Sequence, residues 1–130
     1  MVSRVTEVII DCHDIEVVAD FWCAVLGYSR AEGGEGWRSI RAPGPGPTSE
    51  SLASGAPAPA LTMVTVPEDK VVKNRLHLDI TPADRSQASE VERLDGLGAT
   101  RVDIGQGTPR WVVMADPEGN EFCVMPVIGA

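Results

Sequence analysis

The segment Glu7-Val8-Ile9-Ile10-Asp11-Cys12-His13-Asp14 can be laid on His77-Leu78-Asp79-Ile80-Thr81-Pro82-Ala83-Asp84, and this repeat limits the folds open to the chain. Both copies alternate apolar and polar residues, as a strand with one buried face does, and both end in Asp. A helical pattern follows each Asp. In the first half it runs through Ile15, Val18, Trp22 and Leu26, with Phe21 and Val25 beside them, and stops at Gly27. In the second it runs through Ala88, Val91, Leu94 and Leu97 and stops at Gly98. Asp14 and Asp84 are the predicted N-caps, because a carboxylate there accepts from free N–H groups of the first turn; Gln87 would complete a capping box with Asp84. Gly27 and Gly98 are the predicted C-caps, since glycine takes the left-handed conformation that ends a helix.

Three strands are predicted after each helix. They are Ser29–Glu32, Trp37–Arg41 and Leu61–Val66 in the first half, and Thr100–Ile104, Arg110–Ala115 and Glu121–Met125 in the second. The Gly33-Gly34, Gly105-Gln106-Gly107 and Asp116-Pro117-Glu118-Gly119-Asn120 stretches supply turns. Trp37 and Trp111 fall at matching places, at the start of the third strand of each half. The expected class is α+β: one domain over 1–130, built of a βαβββ module at 1–69 and a second at 70–130. Ala42–Ala60 breaks the symmetry. It is rich in Pro, Gly, Ser and Ala with one charge, Glu50, and is expected to form a mobile loop without structure of its own, either a surface insertion or a lid.

With 19 acidic and 11 basic side chains the net charge is −8, which argues against nucleic acid or an anionic membrane as partner. No apolar run approaches the roughly 18 residues of a membrane span, and no signal peptide is evident. Three cysteines in no paired spacing suit a reducing cytoplasm rather than a disulfide framework.

A duplicated βαβββ chain of this length resembles the vicinal oxygen chelate superfamily: glyoxalase I, bleomycin-resistance proteins and extradiol dioxygenases. The residues that carry the resemblance are Asp14 to Phe21-Trp22 and Val25-Leu26-Gly27-Tyr28, then Lys73-Asn74-Arg75-Leu76-His77-Leu78-Asp79, Leu97-Gly98-Ala99-Thr100 and, most specific, Asp116-Pro117-Glu118-Gly119-Asn120-Glu121-Phe122. The resemblance implies eight mostly antiparallel strands curling into a cup with a helix behind each half, frequent homodimers, and a small-molecule ligand. It also implies one divalent metal ion (Zn, Ni, Mn or Fe), held by His, Gln or Glu from the first and last strands of the modules. His77 falls on the ligand position of the second module and Glu7 on that of the first. The glutamate expected seven residues beyond Asp116 is replaced by Cys123, and Leu61–Val66 offers neither carboxylate nor imidazole. The candidate ligands are therefore Glu7, His77 and Cys123, a set that suits zinc.

Strand alternation divides the faces independently of the resemblance. Val8, Ile10 and Cys12 should face a helix, as should Leu76, Leu78 and Ile80, and Phe122 and Val124. Glu7, Ile9 and Asp11, then His77, Asp79 and Thr81, then Glu121, Cys123 and Met125 should face away from it. Glu7 and His77 are the candidate catalytic acid–base groups. Trp37, Asp79, Trp111 and Glu121 are the candidate substrate-binding residues. Two functions stay open at this point. One is a glyoxalase-like lyase, isomerase or dioxygenase acting on a small oxygenated metabolite; the other is a protein that sequesters a cationic drug or metabolite.

Overall fold

The structure, a computed structural model, describes residues 2–55 and 58–129. The order is β1 (Glu7–Cys12), α1 (Ile15–Leu26), β2 (Ser29–Gly34), β3 (Trp37–Arg41), α2 (Ser49–Ser54), β4 (Ala60–Thr65), β5 (Leu78–Ile80), α3 (Gln87–Leu97), β6 (Thr100–Arg101), β7 (Val112–Ala115) and β8 (Glu121–Val124). The chain divides into two compact units between Pro67 and Glu68. Each has its own four-stranded sheet, ordered β1-β4-β3-β2 in the first and β5-β8-β7-β6 in the second. The α+β class and the duplicated βαβββ order are thus realised. In both units the first and last strands pair in parallel and the other neighbours antiparallel.

In the first unit α1 starts where the Asp14 side chain accepts from the N–H groups of Glu16 and Val17, and ends at Gly27 with φ 69°. Its buried residues Val18, Ala19, Phe21 and Trp22 pack with Ile40, Leu61 and Met63 of the sheet. Phe21 and Trp22 meet edge to face, with ring centroids 5.1 Å apart, the arrangement that aromatic quadrupoles favour. In the second unit Val91 and Leu94 of α3 are buried along with Met114, Phe122 and Val124. Gly98 closes that helix at φ 113°. Among the described residues no helix is long and apolar enough to cross a membrane.

Four expectations change. The cap of α3 is Ser86, whose hydroxyl accepts from the Ser89 N–H, while Asp84 is taken up by Arg85. Gln87 does not close a capping box either; its amide donates to the carbonyls of Arg110 and Val124, so it ties the helix start to β8 and to the approach of β7. Second, the 42–60 segment contains α2, opened by a capping box between Thr48 and Ser51; residues 56 and 57 lie outside the described residues. Two hydroxyls that satisfy each other's backbone partners nucleate a turn that composition alone does not reveal. Third, strand pairing in the second unit is shorter than predicted. Asp103 accepts from Gly105 N–H and Gln106 from Ile104 N–H, and such local bonds compete with the ladder. Trp111 consequently precedes β7 instead of opening it. Fourth, Leu76 is 89% exposed and outside β5, so it does not join Leu78 and Ile80 on the helix-facing side.

The reassigned cap gives a direct test. Ser86→Ala should destabilise the protein by about 1 kcal/mol in urea unfolding, the usual worth of an N-cap, whereas Asp84→Asn should stay within about 0.5 kcal/mol.

Candidate metal centre

Parallel pairing of β5 with β8 sets Asp79 directly beside Cys123. His77 sits one residue before β5, on the same side of the strand line as Asp79 by alternation. The result is a trio: one donor atom from each of His77, Asp79 and Cys123 lies within 4.8 Å of the others. Cys123 is the buried member, 5% exposed, and His77 and Asp79 open to solvent. His77 Nδ1 is 3.1 Å from Asp79 Oδ1, and the Cys123 thiol hydrogen-bonds the Asp79 carboxylate. Asp79 is therefore the hub that holds the other two. Burial pushes the Cys123 thiol up, the charge of Asp79 and its hydrogen bond push it further, and the Lys73 ammonium pulls it partway back. A thiol so placed is protonated at neutral pH and is not a free nucleophile.

The donor set suits a divalent ion. Tetrahedral zinc, with bonds of about 2.0–2.3 Å, separates its ligand atoms by roughly 3.3–3.8 Å, so modest side-chain rotations would close this trio on one. A thiolate and an imidazole favour zinc over the harder manganese and magnesium ions. The sequence points to Glu7, His77 and Cys123 as ligands and places Asp79 among the substrate contacts; the trio contains His77 and Cys123, with Asp79 as its third member. The position of Asp79 against Cys123 depends on the parallel register, which the sequence does not display.

Glu121 has a different setting. Its carboxylate takes the Lys70 ammonium on one oxygen and the Asn74 N–H on the other, at 2.8 Å. Burial alone would raise it; the Lys70 hydrogen bond and charge and the Asn74 N–H outweigh that and hold it below the usual carboxylate range. It is thus a neutralised carboxylate rather than an open acidic contact. Asn74 also donates to the Asn120 side chain at 2.9 Å, inside a turn where Asp116 accepts from the N–H groups of Glu118 and Asn120.

In the first unit Glu7 heads another polar chain. Thr62 Oγ1 donates to Glu7 Oε1 at 2.8 Å and lies 2.7 Å from Ser39 Oγ. A carboxylate only accepts, so Thr62 gives its one proton to Glu7 and Ser39 supplies the proton between the hydroxyls. Ser39 and Thr62 are each 5% exposed. Glu7 pairs with Ala60 and Ser39 with Thr62, as Val113 pairs with Cys123 in the second unit. Thr62 therefore stands in the repeat where Cys123 stands, a hydroxyl in place of a thiol, with Ile9 opposite it where the second unit has Asp79. The two strand-associated tryptophans are half-exposed, Trp37 at 38% and Trp111 at 42%.

A family model described as a glyoxalase-like domain matches residues 7–125. The chain belongs to the glyoxalase-like family. No curated protein matches it in sequence. Among solved structures it is similar to a glyoxalase/bleomycin resistance protein/dioxygenase family enzyme from Burkholderia phytofirmans PsJN, at 17% identity and TM-score 0.61, covering 92% of this chain and 94% of that one. It is also similar to the fosfomycin resistance protein FosX from Mesorhizobium loti, at 11% identity and TM-score 0.65, covering 96% and 92%. A FosX variant from Listeria monocytogenes, in complex with manganese(II) and 1S,2S-dihydroxypropylphosphonic acid, shares 10% identity at TM-score 0.67, covering 96% and 93%. The fold is that of the vicinal oxygen chelate superfamily.

The hydroxyl chain of the first unit can be tested by itself. Thr62→Val should cost about 1–3 kcal/mol, because it strands the buried Ser39 hydroxyl, and the Thr62→Val, Ser39→Ala double variant should recover part of that loss. Urea unfolding of the four proteins, read as a double-mutant cycle, gives the coupling.

Proposed function

We propose that this chain is a metal-dependent glyoxalase-like enzyme acting on a small metabolite with two neighbouring oxygens. One observation carries the reading: an imidazole, a carboxylate and a buried thiol gather their donor atoms within 4.8 Å in a unit of glyoxalase-like fold. His77, Asp79 and Cys123 would hold the ion. When bound, it supplies Lewis-acid polarisation of the substrate oxygens.

The residues divide the remaining work. Cys123 anchors from the buried side, and His77 and Asp79 leave the opposite side accessible to a ligand. Asp79 already orients both neighbours, so little side-chain entropy remains to be lost on binding. Binding must displace the Cys123 thiol proton, which makes uptake weaken as pH falls.

The untagged protein should bind about one zinc per chain in a competition titration against a chromophoric chelator, and bind manganese(II) more weakly. Cys123→Ala and His77→Ala should each weaken zinc by about 100-fold or more, beyond the 10–100-fold typical of outer partners. A chain that leaves all zinc with the chelator, or binds equally well without Cys123, would sink the reading.

A second reading is favoured by the half-exposed Trp111, in the unit that carries Asp79, and by the acidic net charge: sequestration of a cationic aromatic ligand. It predicts quenching of tryptophan fluorescence by such a ligand at low salt, with affinity lowered by Asp79→Asn. Equal affinity in that variant counts against it.

A further inference from the structure

We propose that Lys70, Asn74 and Glu121 form a clasp that positions His77 beside Asp79 and Cys123. Glu121 then acts on the centre through the backbone leading into it, as a positioning residue. The inference rests on the metal-centre reading above and extends it to residues outside the donor set.

The first line of support is what the connecting segment lacks. Val71 is 87% exposed, Val72 76% and Leu76 89%, so no apolar anchor holds the backbone that approaches His77. A surface stretch without buried contacts frays unless polar bonds hold it. His77 lies outside β5, so the strand ladder does not fix it either.

The second line is what the segment has instead. Glu121 opens β8, two residues before Cys123, and grips the segment at two points. One oxygen takes the Lys70 ammonium and the other the Asn74 N–H. The Lys70 ammonium also donates to the Val72 carbonyl at 2.9 Å, so it closes the loop on itself. Asn74 Nδ2 donates to Asn120 Oδ1, which adds a third attachment to the same turn. The ion pair is largely covered, with the Glu121 side chain 10% exposed and that of Lys70 22%. Such pairs keep their geometry better than flexible surface pairs do. The strand that carries Cys123 therefore also carries the group that grips the approach to His77. One rigid element sets both sides of the trio.

The third line is the comparison of the two halves. The β5–β8 ladder starts at Leu78 and Phe122, so His77 and Glu121 are the residues just before it on the two sides, at the repeat positions where Glu7 and Ala60 pair in the first unit. Ala60 has no side chain with which to grip anything; its N–H bonds the Thr6 carbonyl instead. The clasp is thus present in the copy of the module that has His77 and Cys123 at these strand positions, and absent from the copy that has Glu7 and Thr62 there.

The test uses the full chain with Glu121→Gln, Lys70→Met and Lys70→Arg. Zinc affinity should fall about 10–100-fold in Glu121→Gln and in Lys70→Met, the usual effect of removing a group that orients a ligand. Lys70→Arg, which keeps the charge and the donor, should restore most of the loss. Independently, 15N relaxation should show lowered order at the Arg75, Leu76 and His77 amides in the first two variants but not in the third. A merely structural role would move the urea midpoint without loosening those amides or weakening zinc selectively. Unchanged zinc affinity together with unchanged order in both weakened variants overturns the clasp. A wild-type chain that binds no zinc defeats the metal reading instead, and the relaxation data then decide the clasp alone.

Discussion

The parallel pairing between the first and last strands of each module is the constraint on which the rest of the structure depends. Antiparallel neighbours can be joined by a tight turn, but a parallel pair needs a long crossover. Here the helix and two further strands supply it. The arrangement brings the opening of a module against its close, which is how Asp79 comes to lie beside Cys123 and Thr62 beside Glu7's strand. Neither polar group would meet the other in a simple meander. The family resemblance and the chemistry both trace to this one contact.

Much of the fold is legible in the residues. The repeat shows because both copies must bury one strand face and one helix stripe, and Gly27 and Gly98 show because few residues besides glycine take positive φ cheaply. Alternation also sorts Ile9 correctly onto the polar side, where it is half-exposed despite being apolar. What is hidden depends on short-range competition. Ser86 stands nearer the first helical residue than Asp84 and captures the cap, and Thr48 with Ser51 orders a turn in a stretch whose composition reads as disordered. Leu76 shows the limit of periodicity: it belongs to the alternation in sequence but lies before the ladder begins at Leu78.

The site is legible to a lesser degree. The resemblance offers Glu7, His77 and Cys123, the last in place of the family's glutamate, and alternation puts Asp79 on the face of His77. The register that sets Asp79 against Cys123 is a tertiary fact, with no local signal. Glu121 reads as an acid on the open face, since nothing in the sequence tells that Lys70, far from it along the chain, neutralises it. The two halves have kept one layout with different donors. At the matching place of the last strand the first unit has the Thr62 hydroxyl and the second the Cys123 thiol.

Because each sheet draws all of its strands from one side of Pro67, the ladders are complete within each half. The last bond of the first sheet region, from Val66 N–H to the Cys12 carbonyl, involves nothing beyond residue 66. During synthesis, the leading half therefore has every strand it pairs with once that stretch has left the ribosome, while the residues destined to gather around Cys123 are still being translated.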